Sequence, residues 1–251
     1  MKGILPIAAG VLSLASAWTS PALAIDGLTA NGAVATDYVF RGITQSAKRP
    51  AVQGGLDYSF GDSGFAAGTW VSSIDFGDNT NLEWDIFANY NFDLGPVGAS
   101  MGVVGYVFPY SGIGGPYDFV EPNLGLEYDF GIFAWSARAF WAPSLPASYV
   151  TVRNGYHPDS EYFLTAGVSA PVVPWLAVGG NFGYQGLSDG KPPGVPDDSY
   201  TVWDIGATVT VDNFSLDLRY IDTSKHTFAN YLDPQFATGP FYVATFGFKF
   251  P

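Results

Sequence analysis

Residues 81–92 read NLEWDIFANYNF, in which Leu82, Trp84, Ile86, Ala88, Tyr90 and Phe92 alternate with Glu83, Asp85, Phe87, Asn89 and Asn91. Successive side chains of an extended strand point to opposite faces, so the segment has one greasy face and one mostly polar face. In a soluble sandwich the greasy face would meet a second sheet. In a membrane barrel it would meet lipid, and the polar face would line the interior. Residues 201–211 repeat the pattern, with Trp203, Ile205, Ala207, Val209 and Val211 set against Val202, Asp204, Gly206, Thr208 and Thr210. Residues 213–221 do the same, Phe214, Leu216, Leu218 and Tyr220 opposing Ser215, Asp217 and Arg219.

Working outward, no helical period appears from Leu28 onward, and about twelve period-two segments follow one another. They lie at 27–41, 50–60, 64–76, 81–92, 97–110, 117–130, 132–143, 160–171, 174–186, 199–212, 213–223 and 239–250. Each is near the roughly 9–11 residues that a tilted membrane strand needs. The first contains ATDYVFRGITQS, 35–46. Read as a continuous strand, it places Val34, Thr36, Tyr38 and Phe40 on the lipid face and Ala35, Asp37, Val39 and Arg41 inside. The links alternate between long or intermediate (GITQSAKR, GDNT, SGIGGP, SLPASYVTVRNGYHPD, LSDGKPPGVPDD, SKHTFANYLDPQFAT) and short (GDS, DLGP, GI, VV, DN). That is the habit of bacterial outer-membrane barrels, whose periplasmic turns are short and outer loops long. Aromatics collect beside the short links: Tyr58 and Phe60, Tyr90 and Phe92, Tyr128 and Phe130, Phe133 and Trp135, Phe248 and Phe250. A sandwich core would explain their number but not this clustering at one membrane interface.

Composition agrees. Aromatic residues make up 17% and charged residues only 13%, with 31 glycines, whereas about a quarter of a soluble chain is charged. The formal net charge of −13 argues against nucleic acid, which demands clustered Lys and Arg. There are no cysteines, so no disulfide framework or zinc-thiolate site is available. Lys2, the apolar run from Ile4 to Leu14 and Ala22-Leu23-Ala24 have the layout of a signal peptide cleaved after Ala24. The expected organisation is a signal peptide, 1–24, followed by one domain, 25–251: an all-β, transmembrane, up-and-down antiparallel barrel of about twelve strands. With an even strand count, both termini fall on the short-turn, periplasmic side of the bacterial outer membrane.

The pieces Asp37-Tyr38-Val39-Phe40-Arg41-Gly42, Gln45, PAVQGGLDY (50–58) and GFAAGTW (64–70) resemble the opening of the TorF-type porins, a bacterial outer-membrane family long catalogued as of unknown function. The resemblance covers about the first third of the mature chain closely and the remainder in layout. It implies a barrel with a transport role and brings no substrate and no catalytic residues. One departure is Pro251 after Phe250. Proline has no N–H to extend a ladder, so the last strand should end at Phe250.

On the barrel reading the interior is lined by Asp37, Arg41, Asp57, Glu83, Asp85, Glu121, Glu127, Arg138, Glu161, Asp204, Asp217, Arg219 and Lys249, nine acidic and four basic. Such groups are costly in hydrocarbon. Two designs fit them. An acidic water-filled lumen would admit small neutral or cationic solutes by passive diffusion. Alternatively, Arg41, Arg138 and Arg219 pair with carboxylates and plug the barrel. The expected partners are outer-membrane lipids, the assembly machinery and small solutes or ions; no cofactor and no metal is expected, and the oligomeric state is left open. A non-conducting adhesive or structural surface barrel is the alternative, because long loops also suit protein contact. Lys48, Arg49, Arg153, Lys191 and Lys225 are expected in outer loops. A hydrolase finds little support: His157 and His226 are the only histidines, and Ser224 and Asp222 lie near His226 without a G-x-S-x-G elbow. DGKPPGVPDD and GDNTN hold oxygen ligands suited to calcium, without the EF-hand spacing.

Overall fold

The computed structural model describes residues 25–77, 79–109, 117–144, 160–187, 199–225 and 238–251. The strands are β1 (Leu28–Ala35), β2 (Val39–Phe40), β3 (Ile43–Thr44), β4 (Ala51–Ser59), β5 (Phe65–Ser73), β6 (Leu82–Leu94), β7 (Val97–Val107), β8 (Phe119–Asp129), β9 (Ala134–Ala142), β10 (Glu161–Val173), β11 (Leu176–Leu187), β12 (Tyr200–Val211), β13 (Phe214–Thr223) and β14 (Phe241–Phe250). Twelve of them form a closed antiparallel barrel, each beside its neighbour in sequence, with β1 also pairing β14 from Ala30↔Phe250 to Ala35↔Thr245. The last strand ends at Phe250. β2 and β3 stand apart as a two-stranded hairpin. Closure leaves no unpaired edge, which a strand facing lipid requires because nothing there can satisfy its N–H and C=O groups.

The period-two alternation becomes two surfaces. In β6, Glu83, Asp85 and Phe87 are buried while Trp84, Ile86 and Tyr90 are exposed. The outer wall carries Val52, Leu56, Leu124, Leu126, Val168, Ile205, Leu216 and Leu218. At the short-turn end, rings meet one another in the pairs Tyr58–Phe60, Phe65–Tyr90, Tyr128–Phe130 and Phe248–Phe250, the amphipathic belt expected at a membrane interface. Leu124, midway along β8 and 60% exposed, tests the assignment. Leu124→Arg is expected to destabilise the refolded barrel by about 2–4 kcal/mol in lipid, the cost of a basic side chain at the bilayer midplane, read from urea unfolding in vesicles. A change as small as that of Leu124→Ala would place this face in water.

Short links at 60–64, 95–96, 130–133, 174–175 and 212–213 alternate with long ones at 36–50, 74–81, 108–118, 143–160, 188–199 and 224–240. The first strand, expected to run to residue 41, stops at Ala35. Thr36 closes the ladder, its N–H donating to the Ala244 carbonyl and its Oγ1 accepting from the Ala244 N–H. The chain then turns inward. Arg41 and Gly42 both have positive φ, +48° and +81°, and link Phe40 to its partner Ile43. Two central residues of positive φ make the tight turn that suits the right-handed twist of a hairpin. Tyr38 and Phe40, expected on the lipid face, are therefore inside: Tyr38 is only 6% exposed, and the Phe40 ring meets Tyr106 edge-on. The expected signal peptide, Arg153, Lys191, His157, His226 and the segment DGKPPGVPDD lie outside the described residues.

Candidate functional site: an acidic mouth closed by a hairpin

Residues 36–49 are organised by their own polar side chains. The Asp37 carboxylate accepts hydrogen bonds from Thr44 Oγ1 (2.6 Å) and Ser46 Oγ (2.8 Å). The Tyr38 N–H donates to Ser46 Oγ (2.9 Å) and the Gln45 N–H to the Tyr38 carbonyl (2.6 Å). Burial pushes the Asp37 carboxyl upward, with Thr44 and Ser46 opposing the shift. Asp37 is thus a brace within the hairpin and not a wall residue. The hairpin is moored to two of the neighbouring long links: the Asp75 N–H donates to the Gln45 carbonyl, Arg49 pairs with Asp75, and Ile43 bridges Thr238.

At its tip, the Arg41 guanidinium reaches across the barrel mouth. Nη2 meets Glu121 Oε2 at 2.7 Å; Nη1 meets Gln185 Oε1 at 3.2 Å and Glu161 Oε1 at 3.5 Å. The rings of Phe40, Phe140 and Phe163 lie 4.6, 5.2 and 4.6 Å from the guanidinium carbon, within cation–π range. Glu121 and Glu161 stand on β8 and β10, with β9 between them. There Ala142, the partner of Glu161, presents only a methyl group, which leaves the guanidinium room. Burial would lower the Arg41 pKa, but Glu121, Tyr106 and Glu161 carry it above its ordinary value, so the side chain stays charged. Its carbonyl accepts from the Tyr200 hydroxyl at 2.9 Å. A non-glycine residue in the left-handed region costs of order 1–3 kcal/mol and persists only where its surroundings hold it.

Gly42 packs directly against β12 and β13. A Cβ built there would collide with Thr223 Cγ2 and fall 3.0 Å from Val202 Cγ2. Gly42→Val adds a branched side chain both to this contact and to a φ of +81°. It is expected to lift the turn off β12 and β13 and to speed tryptic cleavage after Lys48. An unchanged cleavage rate would mean that the turn is not packed as described.

Facing the hairpin, the wall forms an acidic arc. Glu83 and Asp85 project from β6, Glu121 from β8 and Glu161 from β10, and all four are buried. Glu83 Oε1 accepts from the Tyr38 hydroxyl (2.6 Å) and Glu121 Oε2 from the Tyr106 hydroxyl (3.1 Å). Burial, followed by Glu83 and Asp85, holds Tyr38 well above the usual tyrosine pKa, so it remains a donor. Among the described residues, Arg41 is the one cation that pairs with any of these four carboxylates. Within this site Asp85 Oδ1, Glu121 Oε1 and Gln185 Nε2 are buried and have no hydrogen-bond partner among the described residues.

Deeper in the barrel, the other expected lining residues lie in three further places on the inner wall. On β12 and β13, Arg219 pairs with Asp204 and with Asp217 (3.0 Å); Asn181 donates to Asp204 at 3.0 Å and Thr208 to Asp217 at 2.7 Å. Across β8 and β9, Arg138 is the partner of Gly125, one inward position from Glu127. Asp57 accepts from Asn31 (2.5 Å), and Lys249 is the β14 partner of that Asn31. Asp222, close to His226 in sequence, accepts instead from the Tyr220 hydroxyl (2.8 Å), and Ser224 Oγ accepts from the Thr201 N–H (3.0 Å). Among the described residues no three His, Cys, Asp or Glu side chains are grouped to hold a metal ion. Gln185, Tyr106, Tyr200, Phe140 and Phe163 join the site from the structure alone, since nothing local in sequence marks an inward aromatic or amide as a partner of Arg41. The Arg-Gly pair between two short apolar runs is the available signal for the hairpin.

The sequence profile of Gcw_chp, a family described as bacterial protein of unknown function, matches residues 20–245. That description carries no TorF-type name. No curated protein matches the sequence. Among solved structures, the chain is similar to a porin refined at 1.8 Å resolution, with 15% identity over 80% of this chain and 62% of that one and a TM-score of 0.41. It is similar to a BenF-like porin from Pseudomonas fluorescens Pf-5, with 14% identity over 90% and 64% and a TM-score of 0.42. For Salmonella typhi OmpF in complex with daunomycin the values are 9% identity, 90% and 98%, and a TM-score of 0.48. The chain thus spans less than two thirds of the first two porins.

Proposed function

We propose that this chain, which belongs to the Gcw_chp family, is an outer-membrane channel for passive diffusion of small solutes, cationic or neutral, whose outer mouth is closed by the hairpin of residues 36–49. The observation that carries the reading is the imbalance beneath that hairpin: four buried carboxyls against one guanidinium. An excess of one sign on low-dielectric walls focuses the field and concentrates counter-ions. A hairpin of fourteen residues held by hydrogen bonds, the Arg41 cluster and the Arg49–Asp75 pair can leave the mouth without unfolding the barrel, because the other twelve strands close without it. In this reading residues 1–24 are a cleaved signal, the short turns and both termini are periplasmic, and the long links face outward. No covalent chemistry is implied.

The test is the reversal potential of the refolded mature chain in a planar bilayer across a salt gradient. Stepwise conductance with a reversal potential toward the cation's equilibrium value is expected. A folded, heat-modifiable barrel that never conducts would leave a plugged structural or adhesive surface barrel.

A further inference from the structure

We propose that the cradle now filled by Arg41 is a binding site for the guanidinium or primary ammonium group of a solute, which opens the mouth by taking Arg41's place. The inference rests on the channel reading for its role, although the binding itself does not require conduction.

The cradle belongs to the wall. Of the described groups around the guanidinium, only Phe40 comes from the hairpin; Glu121, Gln185, Glu161, Phe140 and Phe163 project from β8, β11, β10 and β9 and stay in place when the hairpin leaves. Two carboxylates, an amide oxygen and two ring faces are the chemistry that recognises a planar, weakly hydrated cation. Arg41 also uses the cradle incompletely. It touches each carboxylate through one nitrogen, at 2.7 Å and at 3.5 Å, and makes no bidentate fork, which would be the stronger arrangement. Glu121 is 0% exposed and its Oε1 has no partner among the described residues; Asp85, 5% exposed on the same acidic arc, likewise has a lone Oδ1 among them. These orphaned acceptors are additional capacity for donors that Arg41, fixed in a tight turn at φ +48°, does not supply. A free ligand has no such turn to satisfy and can rotate to face both oxygens of Glu121.

Opening then follows from competition. A ligand shifts the docked–undocked equilibrium only through preferential binding to one state. A solute cation binds the cradle when Arg41 is out and cannot share it when Arg41 is in. Inorganic anions and neutral solutes gain nothing from the site.

Calorimetric titration of methylguanidinium into the detergent-solubilised, refolded mature protein tests this without reference to current. Arg41→Met, which keeps an unbranched apolar stem among the three rings, vacates the cradle; Arg41→Gln is a second variant should the first not refold. Saturable binding to either is expected, about tenfold or more weaker in the wild type, where Arg41 competes, and lost when Glu121→Gln and Glu161→Gln are added. Butylammonium should bind the same variants and tetramethylammonium, lacking N–H donors, should not. Equal affinity with and without the two glutamates, or no binding to a folded Arg41 variant, would overturn the proposal. Saturable binding to a barrel that never conducts would support the site while removing the channel reading.

Discussion

Arg41→Ala is expected, on the channel reading, to shift the mouth from mostly closed to mostly open. Removing one partner of a buried ion pair strands the other, at about 3–5 kcal/mol, and here the stranded partners are the Glu121 and Glu161 carboxylates at 0% and 6% side-chain exposure. That penalty falls on the docked state of the hairpin, because once it lifts away water can reach both carboxylates. The open-to-closed ratio should rise by about a hundredfold or more, seen as long open dwells in single-channel records. The same variant also loses the cation–π contacts with Phe140 and Phe163, adding to the effect. Arg41→Lys keeps the charge but not the two separate nitrogens that reach Glu121 and Gln185 at once, and should fall between. Wild-type dwell times in a folded Arg41→Ala barrel would show that this residue does not hold the mouth shut.

The second large effect is on selectivity. Glu83→Gln with Asp85→Asn removes half of the acidic arc while sparing the two carboxylates that hold Arg41. A carboxylate about 8 Å from a permeating ion contributes about 2 kcal/mol at an effective dielectric constant of 20. After screening by salt, the cation-to-anion permeability ratio should fall about tenfold or more. The two amides preserve side-chain shape, and the amide oxygen introduced by Glu83→Gln can still accept from the Tyr38 hydroxyl that Glu83 accepts from now. Neutralising Asp204 should matter less, because Asp204 is already matched by Arg219 and Asn181. An unchanged reversal potential in the double variant would locate the selectivity elsewhere in the barrel.

The barrel is legible in the sequence because its signal is local and repeated. A lipid-facing strand must alternate, and Leu82 to Phe92 or Trp203 to Val211 do so without long-range information. The inward hairpin is not legible by the same rule. Tyr38 and Phe40 continue the apolar phase of Val34, so the alternation runs past the true end of β1 at Ala35. What turns the following segment back on itself is backbone geometry six residues on: the positive φ of Arg41 and Gly42 between β2 and β3, a turn more often marked by Asn-Gly. The residue types of the site can be read, since the alternation puts Arg41, Glu121 and Glu161 all inside. Their grouping cannot, because the partners of Arg41 lie 80, 120 and 144 residues away along the chain and only barrel closure brings them together. Asp37 shows the opposite limit: its partners Thr44 and Ser46 are close in sequence, but they become neighbours only through the turn.

On the reading proposed here the hairpin of residues 36–49 shuts a conducting barrel. The chain has no cysteine, so a single engineered pair can report on it without interference. Ile43 on the hairpin and Thr238 beside β14 are directly opposed across an antiparallel bridge, a spacing that a disulfide can span. The most direct measurement is the single-channel conductance of Ile43→Cys/Thr238→Cys before and after addition of a thiol reductant. The account predicts a silent barrel when oxidised and wild-type opening within the same record once the bond is reduced. Equal conductance in the oxidised and reduced states would contradict it.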